Sequence, residues 1–559
     1  MMQGSFPYLK WYVFCMVMLI ALLAMVAPAG AADVTITASG NSADDIANMN
    51  AAISAAGSGE SVILNPGTYY LHDISIGKAI TIRANTAAGG TAENTVIDAQ
   101  SLGRIFYAGD NALTIDNLTL QNGVGPMGSR AGKGGAIYTD GGSVTVTSST
   151  ISDCQAPDNS ISGDGGAINT YSGSVTVMSS TISNCRASDV DGEIQGGRGG
   201  AINTYSGSVT VTSSTISNCR AGYSTRMGNP YIFPGHGGAI YTNSGSVTVT
   251  SSTITGCRAG NSNSGHGGAI YTEHGSGTVR FSRLIGNYAS GEGDTFVGPI
   301  AARDNWWGSN DGPFPGNLTF GASAPTWLVL GVTASPSAIL PSGTSAIRTN
   351  LTFNSSGYDT SSAGHVQDGI PVAFSINPAG YGALSVTGGN ITMGANLSRY
   401  DAPVTTGTAT ITVTVDSQSV SVPVVVRHFP ITSIAVDPID SGSVYAGSDG
   451  LGIWRSTSGG STWSEATAQP GNLNIRALVI SPLDRTHLFA GTYGNGVYKS
   501  TDSGVTWTAC ANTGLADQKV LSLVSDKNGR LFAGTEGGTE SGMYMSNDNC
   551  ASWTALGAA

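Results

Sequence analysis

Five titratable side chains recur at one position of a repeated motif, and they are the first candidates for chemistry. Each one directly precedes a Gly-Gly pair; the set comprises Lys133, Asp164, Arg198, His236 and His266. If the motifs stack in register, these side chains form one column that would bind an acidic polysaccharide or carry out acid–base chemistry on it. The alternative interpretation is a solvent-facing corner at which the residue type varies without a role.

The segments between the motifs hold two further groups of candidate residues. Segment 188–198 contains the best acidic cluster, and calcium is the one metal for which we identify a candidate site; its residues are Asp189, Asp191 and Glu193. Segment 222–236 contains side chains that would stack on sugar rings, namely Tyr223, Arg226, Tyr231 and Phe233. Because variable loops on rigid scaffolds commonly bind ligands, we predict ligand contacts in both segments. The alternative is that the aromatic side chains fold back over the repeats.

Five copies of one sequence unit must position these residues. The copies start 31, 34, 38 and 30 residues apart and span 134–156, 165–187, 199–221, 237–259 and 267–287. Val144 and Val146 alternate with threonines, which predicts a β-strand in each copy. Stacked copies would form two buried ladders of apolar side chains, with about 4.8 Å between the strands of successive copies. The ladders are Ile137, Ile168, Ile202, Ile240 and Ile270, and Ile151, Ile182, Ile216, Ile254 and Leu284.

Four cysteines occupy one position of the repeat, and the fifth copy has Asn287 there; they are Cys154, Cys185, Cys219 and Cys257. Stacked copies would point their Cβ atoms in parallel, which suits a disulfide poorly. We therefore predict a structural column of small free thiols. A metal site is disfavoured because there is no Cys-x-x-Cys pair.

The repeat resembles the right-handed parallel β-helix of pectate-lyase-like and bacterial or archaeal surface proteins. Gly-Gly-Ala-Ile, a Ser/Thr-rich strand and Ser-Asn-Cys are typical of the surface-protein branch. The resemblance implies a β-helix over 33–322, with a capping helix over 42–56 whose N-cap residue is Ser42 or Asp44. It also implies that Trp306 and Trp307 of the motif Asn-Trp-Trp-Gly close the end of the core.

Enzymes of this fold provide a test of the catalytic interpretation. Two Gly-His-Gly triplets, 235–237 and 265–267, resemble a polygalacturonase motif, but Asn169-Thr170 is followed by Tyr171 instead of aspartate. The Arg-Ile-Lys motif of that family is absent from the sequence. The triplets also fall where other copies have Gly-Lys-Gly, Gly-Asp-Gly or Gly-Arg-Gly, so the repeat itself explains them. We therefore lean towards a protein without enzymatic activity.

Two further regions follow in the chain. Residues 323–427 resemble invasin-type Ig-like modules, which implies a β-sandwich that acts as a spacer. Residues 428–559 resemble sialidase-like Asp-box (BNR) β-propellers, with Ser-x-Asp-x-Gly-x-x-Trp complete only at 500–507. We expect Gly459 to replace the aspartate of the first copy and Cys550 the glycine of the third. This implies a partial propeller of about three blades with structural tryptophans, namely Trp463, Trp507 and Trp553. The sequence leaves open whether Cys510 and Cys550 form a disulfide.

The N-terminal sequence indicates the location of the protein, and the net charge limits the kinds of partner it can bind. Residues 1–32 combine Lys10, an apolar run and a small-residue end, which predicts a secretory signal peptide and no other membrane-spanning segment. The net charge of −12 argues against nucleic acid and anionic membranes as partners.

The sequence therefore predicts a secreted or cell-surface all-β protein for adhesion or recognition of carbohydrate. Extracellular glycans or envelope components are the expected partners. One alternative is a polysaccharide lyase or glycoside hydrolase that uses the column containing His236 and His266. Another is a purely structural component of the cell envelope.

Overall fold

The computed structural model describes residues 33–126, 133–157, 163–189, 196–222, 235–260, 265–291, 293–428, 430–537 and 542–556. The predicted signal peptide lies outside these ranges. Within them the chain forms β-strands, the α-helix Ser42–Ala55 and the short 3-10 helix Thr86–Ala88. No helix in the described ranges is long and apolar enough to cross a bilayer. The described chain divides into two compact units, of which the first holds 33–337, 345–401 and 409–424.

The first unit begins with a stack of coils, residues 33–322, which we call the coil stack. Successive coils add strands to three parallel sheets. The first sheet contains Val34–Ile36, Ser61–Leu64, Ile80–Ala84, Leu113–Asp116, Val144–Thr147, Val175–Met178, Val209–Thr212, Ser246–Thr250, Ser276–Arg280, Ile300–Asn305 and Ser323–Ser335. The strands alternate buried valine or isoleucine with half-buried threonine, as the predicted period of two requires.

The other two parallel sheets are built from shorter strands. The second sheet contains Ile74–Ser75, Phe106–Gly109, Ile137–Thr139, Ile168–Thr170, Ile202–Thr204, Ile240–Thr242, Ile270–Thr272, Phe296–Val297 and Leu318–Thr319. The third contains Gly67–Tyr70, Thr95–Asp98, Thr119–Gln121, Thr150–Ser152, Thr181–Ser183, Thr215–Ser217, Thr253–Thr255 and Arg283–Ile285. The small strands Arg258–Ala259 and Tyr288–Ala289 form a further parallel pair.

Both predicted ladders are present, in register and buried. Ile137 pairs with Ile168, and the ladder continues without a shift to Ile270. The ladder from Ile151 to Leu284 is equally regular. Its members are at most 2% exposed, so each contributes about 2 kcal/mol by apolar burial. The stacked apolar side chains are therefore the main source of stability in this region.

The cysteine column lies inside the same core. Its four thiols are free and fully buried, and burial raises the pKa of Cys154 and Cys219, which keeps both protonated. Asn287 takes over this position in the fifth copy. Its side-chain oxygen accepts the backbone N–H of Cys257 at 3.1 Å, and its side-chain nitrogen donates to the carbonyl of Ile254 at 2.9 Å. The position thus accepts a polar group that meets its hydrogen-bond needs.

The capping helix is present, although its N-cap residue differs from the expectation. Helix Ser42–Ala55 buries Met49 and Ile53 against the core. The prediction that Ser42 or Asp44 is the N-cap residue is wrong, because Asn41 holds that position and its side chain accepts the backbone N–H of Asp44 at 2.9 Å. Asparagine is as good an N-cap residue as serine or aspartate.

The strand Ser323–Ser335 belongs to two kinds of sheet. Its first half pairs in parallel with Ile300–Asn305 of the coil stack. Its second half pairs antiparallel with Thr344–Asn354, and Ala395–Asp401 and Ala383–Leu384 extend that sheet. A neighbouring antiparallel sheet contains Gln418–Val426, Gly407–Val415, Ile370–Asn377 and Gly388–Ile391. The predicted border at 322/323 therefore falls at the start of a strand that continues one sheet into the next region.

A buried polar contact fixes the end of the coil stack. Asp416 lies between the strands Gly407–Val415 and Gln418–Val426, and its carboxylate accepts the indole N–H of Trp306 at 2.7 Å. The same carboxylate accepts two hydrogen bonds from Arg283. Both side chains of this ion pair are at most 18% exposed. Trp307 packs into the core of the coil stack instead.

The second unit consists of 338–344, 402–408 and the described residues from 425 onwards. In it, Ala338–Ile339 pairs in parallel with Val425 and Val426. Three four-stranded antiparallel sheets follow, which we call blades 1 to 3. Blade 1 contains Ile431–Val436, Val444–Ser448, Ile453–Ser456 and Ser464–Glu465. Blade 2 contains Ile475–Ile480, Leu488–Thr492, Val497–Ser500 and Thr508–Ala509. Blade 3 contains Val520–Ser525, Leu531–Thr535, Met543–Ser546 and Thr554–Ala555.

The Asp-box motifs form tight turns at the ends of the blades. Asp502 accepts the backbone N–H groups of Val505 and Thr506 at 3.1 and 2.9 Å. In blade 1 our assignment of Gly459 to the aspartate position is wrong. Ser458 holds that position, because its hydroxyl oxygen accepts the N–H of Thr462 at 2.9 Å. A serine hydroxyl can replace the carboxylate here because the turn needs an acceptor and no charge.

The third Asp-box also carries a crosslink. Cys550 replaces the glycine of the motif in a left-handed conformation with φ 68°, and it forms a disulfide with Cys510. The two Cα atoms lie 5.7 Å apart. Trp507 and Trp553 are 4% and 5% exposed, whereas Trp463 is only half-buried. Blades 2 and 3 are thus held together by a covalent bond as well as by packing.

Replacing Asp416 by alanine tests the contact that closes the coil stack. The change leaves the charge of Arg283 and the indole N–H of Trp306 without their partner. Breaking a buried ion pair from one side costs about 3 kcal/mol, so we expect the free energy of unfolding to fall by about that amount. Chemical denaturation followed by tryptophan fluorescence would measure the difference.

The matched control is Asp401→Ala. Asp401 pairs with Arg399 at 2.8 Å, but the two side chains are 37% and 62% exposed. Exposed pairs contribute less than about 1 kcal/mol, so this variant should resemble the wild type. Equal losses for the two variants would contradict a special role for Asp416.

Candidate functional site

The five titratable residues that precede the Gly-Gly pairs occupy successive coils. The N–H of Gly134 donates to the carbonyl of Asp164 at 3.0 Å, and that of Gly165 to the carbonyl of Arg198 at 2.8 Å. The same backbone bond links each of the remaining coils up to His266. A Cβ atom on Gly166 would lie 2.2 Å from the carbonyl oxygen of Gly200, which explains why the corner excludes side chains.

The two histidines of this column are stacked and largely buried. The ring of His236 lies 5.2 Å from that of His266 and 4.7 Å from that of Tyr271. Its Nδ1 atom accepts the backbone N–H of His266 at 3.2 Å, which requires the neutral ring. Burial, with the nearby His266 and Arg198, lowers the pKa of His236 to about 3. His236 is therefore neutral at ordinary pH and poorly suited to deliver a proton.

A substitution pattern next to this column shapes the surface of the second sheet. One ladder position reads Tyr138, Asn169, Asn203, Tyr241 and Tyr271. Two residues further along, the copies read Asp140, Tyr171, Tyr205, Asn243 and Glu273. Where the first position holds asparagine, the second holds tyrosine. The tyrosine ring is thus moved along the strand in two adjacent coils, and a space opens where it would otherwise lie.

That space is a groove of about 220 Å³, which we call the tyrosine groove. Its lining includes Tyr171, Tyr205 and Tyr241, the two asparagines, and three members of the charged column, namely Lys133, Asp164 and Arg198. The rings of Tyr171 and Tyr205 stack with centroids 5.0 Å apart and planes 2° from parallel. They are 52% and 46% exposed, so this aromatic surface faces solvent.

The floor of the tyrosine groove is polar. Asn169 donates to the carbonyl of Asp164 at 3.1 Å. Asn203 is 6% exposed, and its side-chain oxygen is buried without a hydrogen-bond partner among the described residues. A buried acceptor without a partner is costly, and native sites commonly supply that partner from a ligand or ordered water.

Charged groups complete the lining of the groove. Asp164 accepts the backbone N–H of Arg198 at 2.9 Å. Burial nevertheless raises the pKa of Asp164. The guanidinium of Arg198 lies 4.8 Å from the centre of the Tyr241 ring. The lining of the groove therefore combines a flat aromatic surface, a buried acceptor with no partner among the residues described, and side chains of both charges.

Most of the loop residues predicted to bind ligands lie outside the described ranges: Asp191, Glu193, Tyr223, Arg226, Tyr231 and Phe233. Asp189 is described, and two arginines hold its carboxylate. Arg186 and Arg220 each donate to it at 2.7 Å. A calcium ion would have to compete with these two positive charges. Among the described residues no group of three or more histidine, cysteine or acidic side chains has a metal-binding arrangement.

Sequence analysis missed the tyrosine groove, although a signal for it was available. The repeats are nearly identical, so the exchange of Ile-Tyr-Thr for Ile-Asn-Thr-Tyr in only two copies was conspicuous. It has a structural meaning only when those two copies are neighbours in a stack. Aligning the repeats column by column, instead of searching for catalytic motifs, would have identified Asn169, Tyr171, Asn203 and Tyr205.

Comparison with known families gives a match at the C-terminal end of the chain. Residues 452–559 match the Sortilin-Vps10 family, described as sortilin, neurotensin receptor 3. The match covers less than a fifth of the chain, and it agrees with β-propeller-type sheets in this part. A comparison with curated proteins gives no match.

Solved structures give partial similarities. An ancestral GH74 enzyme is 19% identical over 26% of this chain and 24% of its own, with a TM-score of 0.21. An auxiliary nutrient binding protein from Bacteroides thetaiotaomicron is 11% identical over 41% of this chain and 59% of its own, with a TM-score of 0.20. The Yersinia pseudotuberculosis adhesin InvE is 12% identical over 37% of this chain and 67% of its own, with a TM-score of 0.14. The chain thus covers about a quarter of the first enzyme.

The burial of His236 predicts a specific dependence of stability on pH. The pKa of a solvent-exposed histidine is about 6.5, and burial lowers the pKa of His236 to about 3 in the folded chain. Between these values the unfolded chain binds a proton that the folded chain does not, so stability falls as the pH drops below about 6.5. His236→Asn should remove this part of the loss, which is about 3 kcal/mol at pH 4.5, two pH units below the unfolded pKa. Urea denaturation at pH 7 and pH 4.5 would measure it.

His274→Asn is the control for this experiment, because His274 is exposed on the coil that follows the coil of His236. This variant should lose as much stability as the wild type between pH 7 and pH 4.5. If His236→Asn also lost as much as the wild type, the buried neutral state of His236 would be refuted.

Proposed function

We propose that this chain is a secreted or cell-surface protein that recognises carbohydrate through the tyrosine groove. The observation that carries the proposal is the exposed stack of Tyr171 and Tyr205 beside the buried side-chain oxygen of Asn203, which has no hydrogen-bond partner in the described part of the chain. Sugar rings have apolar C–H faces that pack on aromatic rings, and hydroxyl groups that donate to acceptors such as an amide oxygen. Both kinds of group are present at one site.

The fold assignments that go with this proposal follow the resemblances of the sequence. The coil stack is a right-handed parallel β-helix of the surface-protein branch, and its registered parallel sheets support this. The region around 323–427 is an invasin-type Ig-like spacer, and the last region is a partial Asp-box propeller. Segments 188–198 and 222–236 supply further contacts to the ligand. Secretion through the predicted signal peptide places the groove outside the cell.

The geometry favours recognition over catalysis at this site. A glycosidase needs a pair of carboxyl groups, and a lyase needs a base that can take a proton. Among the described residues that line the tyrosine groove, the acidic side chain is Asp164, and it already accepts a hydrogen bond from the backbone N–H of Arg198. His236 is neutral and uses its Nδ1 atom within the stack. Neither residue is arranged for the step that the enzyme alternative requires.

The first test removes the aromatic surface. In Tyr171→Ala/Tyr205→Ala we expect binding of the best glycan to weaken about thirtyfold, since each ring contributes about 1 kcal/mol. Binding of the full chain to a glycan array, followed by calorimetry on the best ligand, would measure the loss. The same samples would be assayed for new reducing or unsaturated ends.

Tyr358→Ala is the control, because Tyr358 is 72% exposed and far along the chain in the antiparallel region. Retained binding in that variant, with loss in the double variant, supports the groove. Undiminished binding in the double variant refutes the site. Release of new ends would favour the lyase or hydrolase, and absence of any glycan binding would favour the structural alternative.

A second test fills the tyrosine groove with a side chain that the repeat already uses. Asn203→Tyr introduces the residue found at 138, 241 and 271 of the same ladder. Since neighbouring coils accommodate tyrosine there, we expect the melting temperature to change by only a few degrees, while the new ring occupies the groove and abolishes binding. The control is Asn243→Tyr, which places a tyrosine at the repeat position that Tyr171 and Tyr205 occupy in their copies. This variant should leave the groove open. Binding by Asn203→Tyr at wild-type strength would contradict the proposal.

A further inference from the structure

We propose that the three blades of one chain close into a ring with the three blades of a second copy of the same chain. Blade 1 presents an exposed apolar surface, the front face, which comprises Ile431, Ile434 and Val436. Blade 3 presents another surface on its opposite side, the back face, which comprises Ser522, Val524, Phe532, Gly534 and Met545. Consecutive blades within the chain already pack front face on back face. This proposal concerns the blades alone and does not depend on the tyrosine groove.

The contact between consecutive blades places an apolar side chain over a glycine. A Cβ atom on Gly447 of blade 1 would lie 2.6 Å from Cγ2 of Ile475 in blade 2. A Cβ atom on Gly491 of blade 2 would lie 2.6 Å from Cγ1 of Val520 in blade 3. Ile475 and Val520 are both fully buried. The glycine therefore makes room for the first strand of the following blade.

Blades 1 and 3 each carry one half of this contact. Gly534 holds the glycine position in blade 3. Apart from its chain neighbours, the described residues bring only Ser522 of the same blade within 4 Å of a Cβ atom there. Ile431 holds the position of Ile475 and Val520 in blade 1, and it is 47% exposed. Ile431 of one copy therefore fits over Gly534 of the other.

The next position of the front face shows the same difference. Leu478 of blade 2 and Leu523 of blade 3 are buried, whereas Ile434 at this position of blade 1 is 64% exposed. The backbone N–H of Leu478 also donates to the hydroxyl oxygen of Ser433 in blade 1 at 2.8 Å. Ser522 of blade 3 repeats Ser433. The N–H of Ile434 in a second copy would find the same kind of acceptor there.

The back face repeats a surface that blades 1 and 2 bury. Tyr445 of blade 1 is buried in one cluster with residues of blade 2, and Phe489 of blade 2 is buried in one cluster with residues of blade 3. Phe532 holds this position in blade 3 and is only half-buried, and Val524, its partner in register, is 57% exposed. The back face is therefore built for a following blade.

The number of blades selects a second copy as the occupant of both faces. Propellers typically contain roughly four to eight blades. Two copies with three blades each give six blades, whereas three copies would give nine. A front-to-back contact between identical chains forms a ring when the rotation closes. In a ring of two copies, each front face lies on the partner's back face, so all four faces are covered at once.

The experiment measures self-association of the full chain by sedimentation velocity over a range of concentrations. We expect the wild type to form a dimer. Ile434→Glu places a charge on the front face, and Val524→Arg places one on the back face. Each substitution is present at both junctions of the ring, so each should raise the dissociation constant about a hundredfold. Both residues are exposed in the single chain, so the melting temperature of the monomer should stay close to that of the wild type.

A mixture of the two variants tests the front-to-back arrangement itself. In a mixed ring one junction carries both substitutions, with charges of opposite sign, and the other junction carries neither. An equimolar mixture should therefore form dimers at concentrations at which each variant alone is monomeric. A contact between two front faces, or between two back faces, would not be recovered in this way.

The matched control is Ile439→Glu. It makes the same change at an exposed isoleucine of blade 1 that lines the groove between blades 1 and 2, and it should associate like the wild type. A monomeric wild type overturns the proposal and leaves the two faces to blades other than those of a second copy. Association that either face variant leaves unchanged overturns it as well, as does a mixture that stays monomeric. A trimer would contradict the ring of six blades.

Discussion

The structure of the coil stack depends on one constraint: each coil must repeat the path of the coil before it. Parallel backbone hydrogen bonds set the spacing, and the buried ladders make any slip of one residue costly, because a slip would turn the isoleucines outwards. Once the register is fixed, every position of the repeat becomes a column of side chains. The chemistry of the surface is then decided by which residue type fills each column, and not by loops alone.

The tyrosine groove arises from a small departure within two such columns. The tyrosine groove exists because two adjacent copies exchange Tyr for Asn at one position and place Tyr two residues later. A regular scaffold of this kind turns one or two substitutions into a site several coils long, since neighbouring copies supply the remaining lining without further change.

Sequence analysis predicted the strands, the ladders and the stacking because these depend on periodicity, which is local and repeated. It did not find the tyrosine groove, because that site depends on a difference between copies, and a search for catalytic motifs looks for identity. The helix cap was missed by one residue since Asn41 precedes the apolar period. The assignment of Gly459 failed because the turn needs an acceptor that serine also provides. The continuity of the sheet beyond 322 could not be predicted, because a strand that changes partners midway has the same alternation as one that does not.

The strand Ser323–Ser335 has a mechanical consequence. Its first half is a rung of the coil stack and its second half begins an antiparallel sheet, so no flexible linker separates the two. Tension applied along this strand would pass from one sheet to the other through a single backbone. The hydrogen bonds on both sides would share the load, with the Asp416 contact as a second attachment beside them. At this junction the load would therefore be carried by a continuous β-strand and not by a flexible linker.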